Sequence, residues 1–128
     1  VLALALSASG AAAQEGPVPV PEGYVSATLD LMAAQAIGRS CPTLSVDPVA
    51  AQARSAAIVA ELTARGITAE NIATRMADPR EALVAGRDAF LARTGLDEGA
   101  TAASVCAAGR AEIGAGTGVG ALLAEVPG

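Results

Sequence analysis

The chain contains no histidine and no tryptophan, and all of its basic residues are arginine. Without histidine it lacks the commonest general base and the commonest nitrogen ligand for metals. Its two cysteines cannot complete a four-ligand zinc site alone. One Tyr and one Phe leave little aromatic surface for stacking bases or sugars. With 13 acidic residues against 8 basic ones, the net charge is −5. An acidic chain without Lys or a basic cluster repels phosphate backbones, which argues against nucleic acid as a partner. The same balance argues against adhesion to anionic lipid. No recognisable catalytic motif is present, so the inventory predicts a protein that is not an enzyme and has no metal and no cofactor. No stretch shows sustained strand alternation with β-branched enrichment, and no internal repeat is visible.

What is present begins with an apolar opening. Residues 1–13 run into small residues and end at Ala11-x-Ala13 before the polar pair Gln14-Glu15. That pattern is the back half of a secretory signal peptide, read here as truncated at its start because it lacks an initiator Met and a basic segment. The run is shorter than the ~20 apolar residues of a membrane span. A cleaved signal predicts a periplasmic or secreted protein with no span after cleavage. Residues 14–22 carry alternating prolines, which prevent a helix and favour an extended arm, either disordered or lying over the fold. Residues 23–126 are expected to form a single helical domain.

After position 13 the chain holds 26 Val, Leu, Ile and Met residues, enough for a thin core with Ala as filler. Small domains of this kind often need a staple. In an oxidising compartment Cys41 and Cys106 read most simply as a disulfide. Closing such a loop contributes roughly 4 kcal/mol at most in the chain-entropy model. A redox pair would set its cysteines about two residues apart, which these are not.

The fold class predicted is all-α, a small bundle of about five helices with Cys41–Cys106 joining the end of helix one to helix five. Helix one spans about Glu22 to Ser40, with Val25, Leu29, Met32 and Ala36 as one stripe. Pro42 stops it near Cys41. Helix two opens with Asp47 as cap and Pro48 in the first position, and Gly66 closes it after Arg65. Glu61 and Arg65 form an i, i+4 pair. Val49, Ala53, Ala56, Ala57 and Ala60 give helix two a smooth face that a neighbouring helix could approach. A short helix three follows a Thr68 cap and ends before Asp78. Asp78-Pro79-Arg80-Glu81 starts helix four, which places Leu83, Gly86 and Phe90 on one face and ends at Gly95. Helix five begins near Thr101 with Ala102, Cys106, Gly109 and Ile113 facing inward. Residues 114–120 read as a loop, and 121–125 as a last short helix.

Few residues offer chemistry. Gly116-x-Gly118-x-x-Ala121 matches a loose dinucleotide fingerprint, but a helix rather than a strand precedes it and no acidic residue lies about 20 positions on. A phosphate loop needs a Lys that is absent. Gly116 and Gly120 form a small-x-x-x-small pair, which packs either internally or against a partner helix. Asp97 and Glu98 fall in an exposed Gly-flanked loop. Glu112, if buried, calls for Arg110 or an arginine of helix four as a structural partner. Arg54, Arg80 and Arg87 are candidates for an anion pocket, although solvated helix faces often look like this.

Several segments together carry a resemblance: Cys41 after an amphipathic helix, Arg65-Gly66-Ile67-Thr68-x-Glu70-Asn71-Ile72, Phe90-Leu91-Ala92-Arg93-Thr94-Gly95, Cys106-x-x-Gly109-x-x-Glu112-Ile113, and Gly120-x-Leu122-Leu123. Over about residues 22–123 the chain resembles a family of small exported alphaproteobacterial proteins of the Rhodobacterales type, classed as a domain of unknown function. The family often has Tyr where this chain has Ile67, and the Gly-rich tail here is longer. The resemblance implies export, a helical fold and the disulfide, and it brings no activity or catalytic residue. A fainter likeness, of architecture alone, is to periplasmic acid-stress chaperones. The leading functional expectation is a non-catalytic periplasmic accessory protein that binds another periplasmic protein. The alternatives are an acid-responsive chaperone relying on carboxylates, and a small-ligand carrier or enzyme using Arg54, Arg80 or Arg87 with Glu112.

Overall fold

The computed structural model describes residues 16–127. The signal-peptide reading of residues 1–13 lies outside them, as do Gln14 and Glu15 of the arm. Five helices dominate: α1 Glu22–Ser40, α2 Pro48–Ala64, α3 Ile72–Arg75, α4 Arg80–Thr94 and α5 Ala102–Ala115. A 3-10 turn over Gly120–Leu122 follows, and two three-residue strands, β1 Leu44–Val46 and β2 Leu123–Glu125, form the sheet. The fold is all-α, as expected. Among the described residues no helix is long and apolar enough to cross a membrane.

Local signals place the helix ends. Asp47 accepts hydrogen bonds from the N–H groups of Val49 and Ala50, with Pro48 in the first position. Those N–H groups have no partner inside the helix, so the side-chain cap satisfies them. Thr101 does the same for Ser104 at the start of α5. Asp78 accepts from Arg80 N–H at 3.0 Å, and α4 is regular from Arg80 rather than from Pro79. Gly66 and Gly95 take the left-handed conformation, at φ 74° and 72°, that ends α2 and α4.

Several expectations are corrected. Thr68 does not cap α3; its N–H instead donates to Asn71 Oδ1 at 2.7 Å, and the helix shrinks to four residues. The expected stripe of α1 is not its core face: Met32 and Ala36 are exposed, Val25 and Leu29 half-buried, while Ala27, Ala34 and Ile37 are buried. Among the described residues, no helix covers the smooth face of α2. Val49, Ala53, Ala56, Ala57 and Ala60 are all exposed, and α2 packs through Ile58 and Leu62. Finally, residues 121–125 are not a helix. Leu123, Ala124 and Glu125 instead pair with β1, with Leu122 and Leu123 both buried. The chain leaves the 3-10 turn and becomes β2.

Strand β2 runs antiparallel to β1, pairing Leu44 with Glu125, Ser45 with Ala124 and Val46 with Leu123. Asp47 N–H donates to the Leu122 carbonyl and Val126 N–H to that of Thr43, extending the seam at both ends. The tail is thus tied to the segment that follows α1, and the Cys41–Cys106 disulfide binds that segment to α5. The main core gathers here, with Ala34, Ile37, Leu44, Val105, Leu122 and Leu123 around the buried cystine. On α5 the inward face is Val105, Cys106, Gly109 and Glu112, while Ala102 is exposed. A smaller cluster of Leu62, Ile67 and Met76 is covered by Val18, Val20 and Tyr24. The proline-rich arm reaches it by a parallel bridge between Val18 and Met76. Of the two fates open to the arm, its described part lies over the fold.

Candidate functional site

Helices α1 and α4 touch at Gly86, where an added Cβ would collide with Leu29 Cδ1. Beside that contact, the turn at residues 117–119 forms a third wall. The result is an open groove of about 400 Å³. Leu29, Met32, Ala33, Phe90 and Val119 supply its apolar surface, and Arg87 and Arg93 line it from α4. A volume of this size with apolar walls and a few polar groups has the dimensions of a small-ligand site. The α1 residues that read as core, Leu29 and Met32, are a wall of this groove.

Two ion pairs flank it. Arg54 of α2 donates to Asp30 Oδ2 at 2.8 Å, with both side chains about one-quarter exposed. Arg54 also reaches the Gly118 carbonyl, which joins α2, α1 and the third wall. The second pair is Arg93 with Glu112, at 2.6 Å. Glu112 is 2% exposed, and its other carboxylate oxygen accepts from Thr117 Oγ1 at 2.6 Å. Thr117 Oγ1 in turn accepts from Gly120 N–H. Burial alone would raise the Glu112 carboxyl. The hydrogen bonds from Arg93 and Thr117, with the Arg93 charge, outweigh burial and hold it below the ordinary glutamate range. The arginine of helix four that a buried Glu112 called for is therefore Arg93, which also lies over the Phe90 ring, 5.4 Å from its centroid.

The expected site residues divide. Arg87 lines the groove, while Arg54 and Glu112 adjoin it through Asp30 and Arg93. Arg80 does not join them. It is clamped to Asp78, whose carboxyl the Arg80 hydrogen bonds hold below its usual range, beside a separate hollow of about 410 Å³ lined by Tyr24, Ile72 and Pro79. The three arginines thus form no common anion pocket; each has its own acid, Asp30, Asp78 or Asp88.

Gly116 and Gly120 are accounted for by backbone conformation and by packing, respectively. Gly116 ends α5 at φ 66°. Gly120 is buried so close to the Glu112 carbonyl that a Cβ would overlap it. The pair is not an exposed partner contact, because Gly120 faces inward. Asp97 stays in its loop, accepting from Gly99 N–H at 2.8 Å. Among the described residues no group of three or more Cys, Asp or Glu could hold a metal ion.

These features define a disulfide-closed, five-helix domain with an open groove braced by two ion pairs. The chain belongs to the family of unknown function DUF5333, whose model matches residues 20–124. That span takes in both cysteines, both groove helices and Glu112. No curated protein and no solved structure matches the chain.

Proposed function

We propose that this is an exported, non-catalytic accessory protein of the alphaproteobacterial periplasm, and that it works by binding another periplasmic protein through the α1–α4 groove. The observation that carries the reading is the groove itself: apolar walls open to solvent, with Met32 52% exposed. The acids beside it, Asp30 and Glu112, are each engaged by an arginine, which supports a recognition surface over acid–base chemistry. Export is supported by the Ala11-x-Ala13 pattern and by the disulfide, since such bonds persist in oxidising compartments.

The test is a photo-crosslinking residue placed at Met32 in the groove or at Val59 on the outer face of α2, with the protein in its native compartment. A single partner captured in stoichiometric yield from position 32 and not from 59 supports the reading. Equal capture at both positions overturns the assignment of the surface. No capture at 32 overturns the accessory role.

One observation favours a second reading, the acid-responsive chaperone. Glu112 ties α5 to α4 and to the turn that walls the groove, and acid would remove its charge. Client binding that appears only at low pH and follows loss of the Glu112 pair would favour it. A protein that stays folded and binds no client near pH 3, well below the ordinary glutamate range, excludes it.

A further inference from the structure

Three charged side chains line the groove, Asp30, Arg87 and Arg93, and they are not equally committed. Asp30 is held by Arg54 at 2.8 Å, and Arg93 by buried Glu112 at 2.6 Å. Among the described residues Arg87 has only Asp88, its neighbour in sequence, at 3.6 Å, and both side chains are more than 60% exposed. A pair so exposed and so long is worth little against water. Among the described residues the groove therefore presents one cation free to take a new acceptor, beside walls made of Leu29, Met32, Ala33 and Phe90. The wall from Ser26 to Ala33 spans about two helical turns, or roughly 10 Å.

We infer that the groove binds a small amphipathic carboxylate, with an unbranched apolar body of medium length along α1 and its anionic end on Arg87. The inference rests on the reading that the groove is the working surface. Charge complementarity selects the anion. A cationic amphiphile would meet Arg87 and Arg93 with like charge, and a neutral one would leave Arg87 without an acceptor. The apolar walls select the body, since burying each methylene lowers the free energy of the complex. An anion without such a body would have only Arg87 in water, which holds anions weakly. Guanidinium geometry suits a carboxylate because its N–H groups can donate two parallel hydrogen bonds.

The test titrates the disulfide-bonded protein with decanoate, decanol, decyltrimethylammonium and acetate, by calorimetry and by methyl and amide NMR. Decanoate is expected to bind saturably, shifting the Leu29, Met32 and Phe90 signals. Decanol should bind roughly threefold to fivefold more weakly, with no saturation by the other two. Arg87→Gln is expected to weaken decanoate by roughly threefold to fivefold and to abolish its advantage over decanol, whereas Arg87→Lys keeps part of it. Arg80→Gln, in the other hollow, should change nothing. Because Arg87 is exposed, folding of its variants is checked by circular dichroism. Absence of saturable decanoate binding overturns the inference, as do equal affinity for decanol, an unaltered Arg87→Gln variant, or shifts centred away from the groove. Crosslinking of a partner at Met32 without decanoate binding would sink the ligand and leave the groove's accessory role standing.

Discussion

At the scale of single residues, Glu112 and Gly120 bear on each other. Glu112 is buried and charged, and it is tolerated because Arg93 and Thr117 satisfy both of its oxygens. Glu112→Gln should cost about 1.5–3 kcal/mol at neutral pH, the range for hydrogen bonds to charged groups, as measured by urea denaturation. Because the folded carboxyl lies below its unfolded value, its contribution is complete above the ordinary glutamate pKa, about 4.3, and is lost as pH falls through the folded value. The difference between wild type and Glu112→Gln should therefore shrink as the pH is lowered through that window. A difference that stays constant with pH would show that the carboxylate charge is not what Arg93 and Thr117 stabilise. Gly120 lies against the Glu112 backbone, which cannot swing aside as a side-chain tip can. Gly120→Ala should lower stability by about 1–3 kcal/mol through overpacking. Gly114→Ala, with open space at its Cβ, should not be destabilising; thermal melts of the two variants compare them directly.

At the scale of elements, caps and turn glycines govern where helices begin and end. Asp47→Ala removes the acceptor for two N–H groups of α2 and should cost about 0.5–2 kcal/mol in equilibrium unfolding. The effect should be larger than that of Asp97→Ala, which loses only a turn hydrogen bond in an exposed loop. Asp47 also bridges elements, because its own N–H continues the β1–β2 seam to Leu122. That seam explains why the tail is extended. A helix over 121–125 would give up the backbone bonds to β1, whereas turn-then-strand makes them and buries both Leu122 and Leu123. Three-residue strands carry too few alternations to be seen in a sequence, and these two are separated by most of the chain.

At the scale of the whole molecule, a thin core is closed by a covalent bond. Cys41 and Cys106 are 65 positions apart, with their Cα atoms 5.1 Å from each other. Their bond lies inside the main cluster, where Cys41 is 1% exposed. Replacing both by Ala should lower stability by about 2–4 kcal/mol. That is a large share of the ~5–15 kcal/mol typical of a domain. Chemical denaturation of the double variant checks it. A loss well under 1 kcal/mol would place the stability in the helix packing. The smaller cluster around Ile67 touches neither cysteine, so amide exchange in the double variant should accelerate most in α5 and β1 and least around Leu62, Ile67 and Met76.

The sequence by itself determined the helical class, the ends of α1, α2, α4 and α5 to within a residue or two, the cystine, and the partner type for Glu112. Each of those depends on neighbours in the chain or on a scarce residue type: a proline after an aspartate, a glycine after the last turn, two cysteines with no competitor. Only the tertiary structure decided which faces of α1 and α2 are buried. Alanine occupies several sides of α1 and α2, so a stripe of Val, Leu and Met does not by itself select the inner face. Ala34 is fully buried while Met32 is half in solvent. The groove follows from that choice. Its walls come from α1, α4 and the turn near the C-terminus, and whether Leu29 and Met32 meet a core or a hollow depends on how closely Gly86 lets the two helices approach.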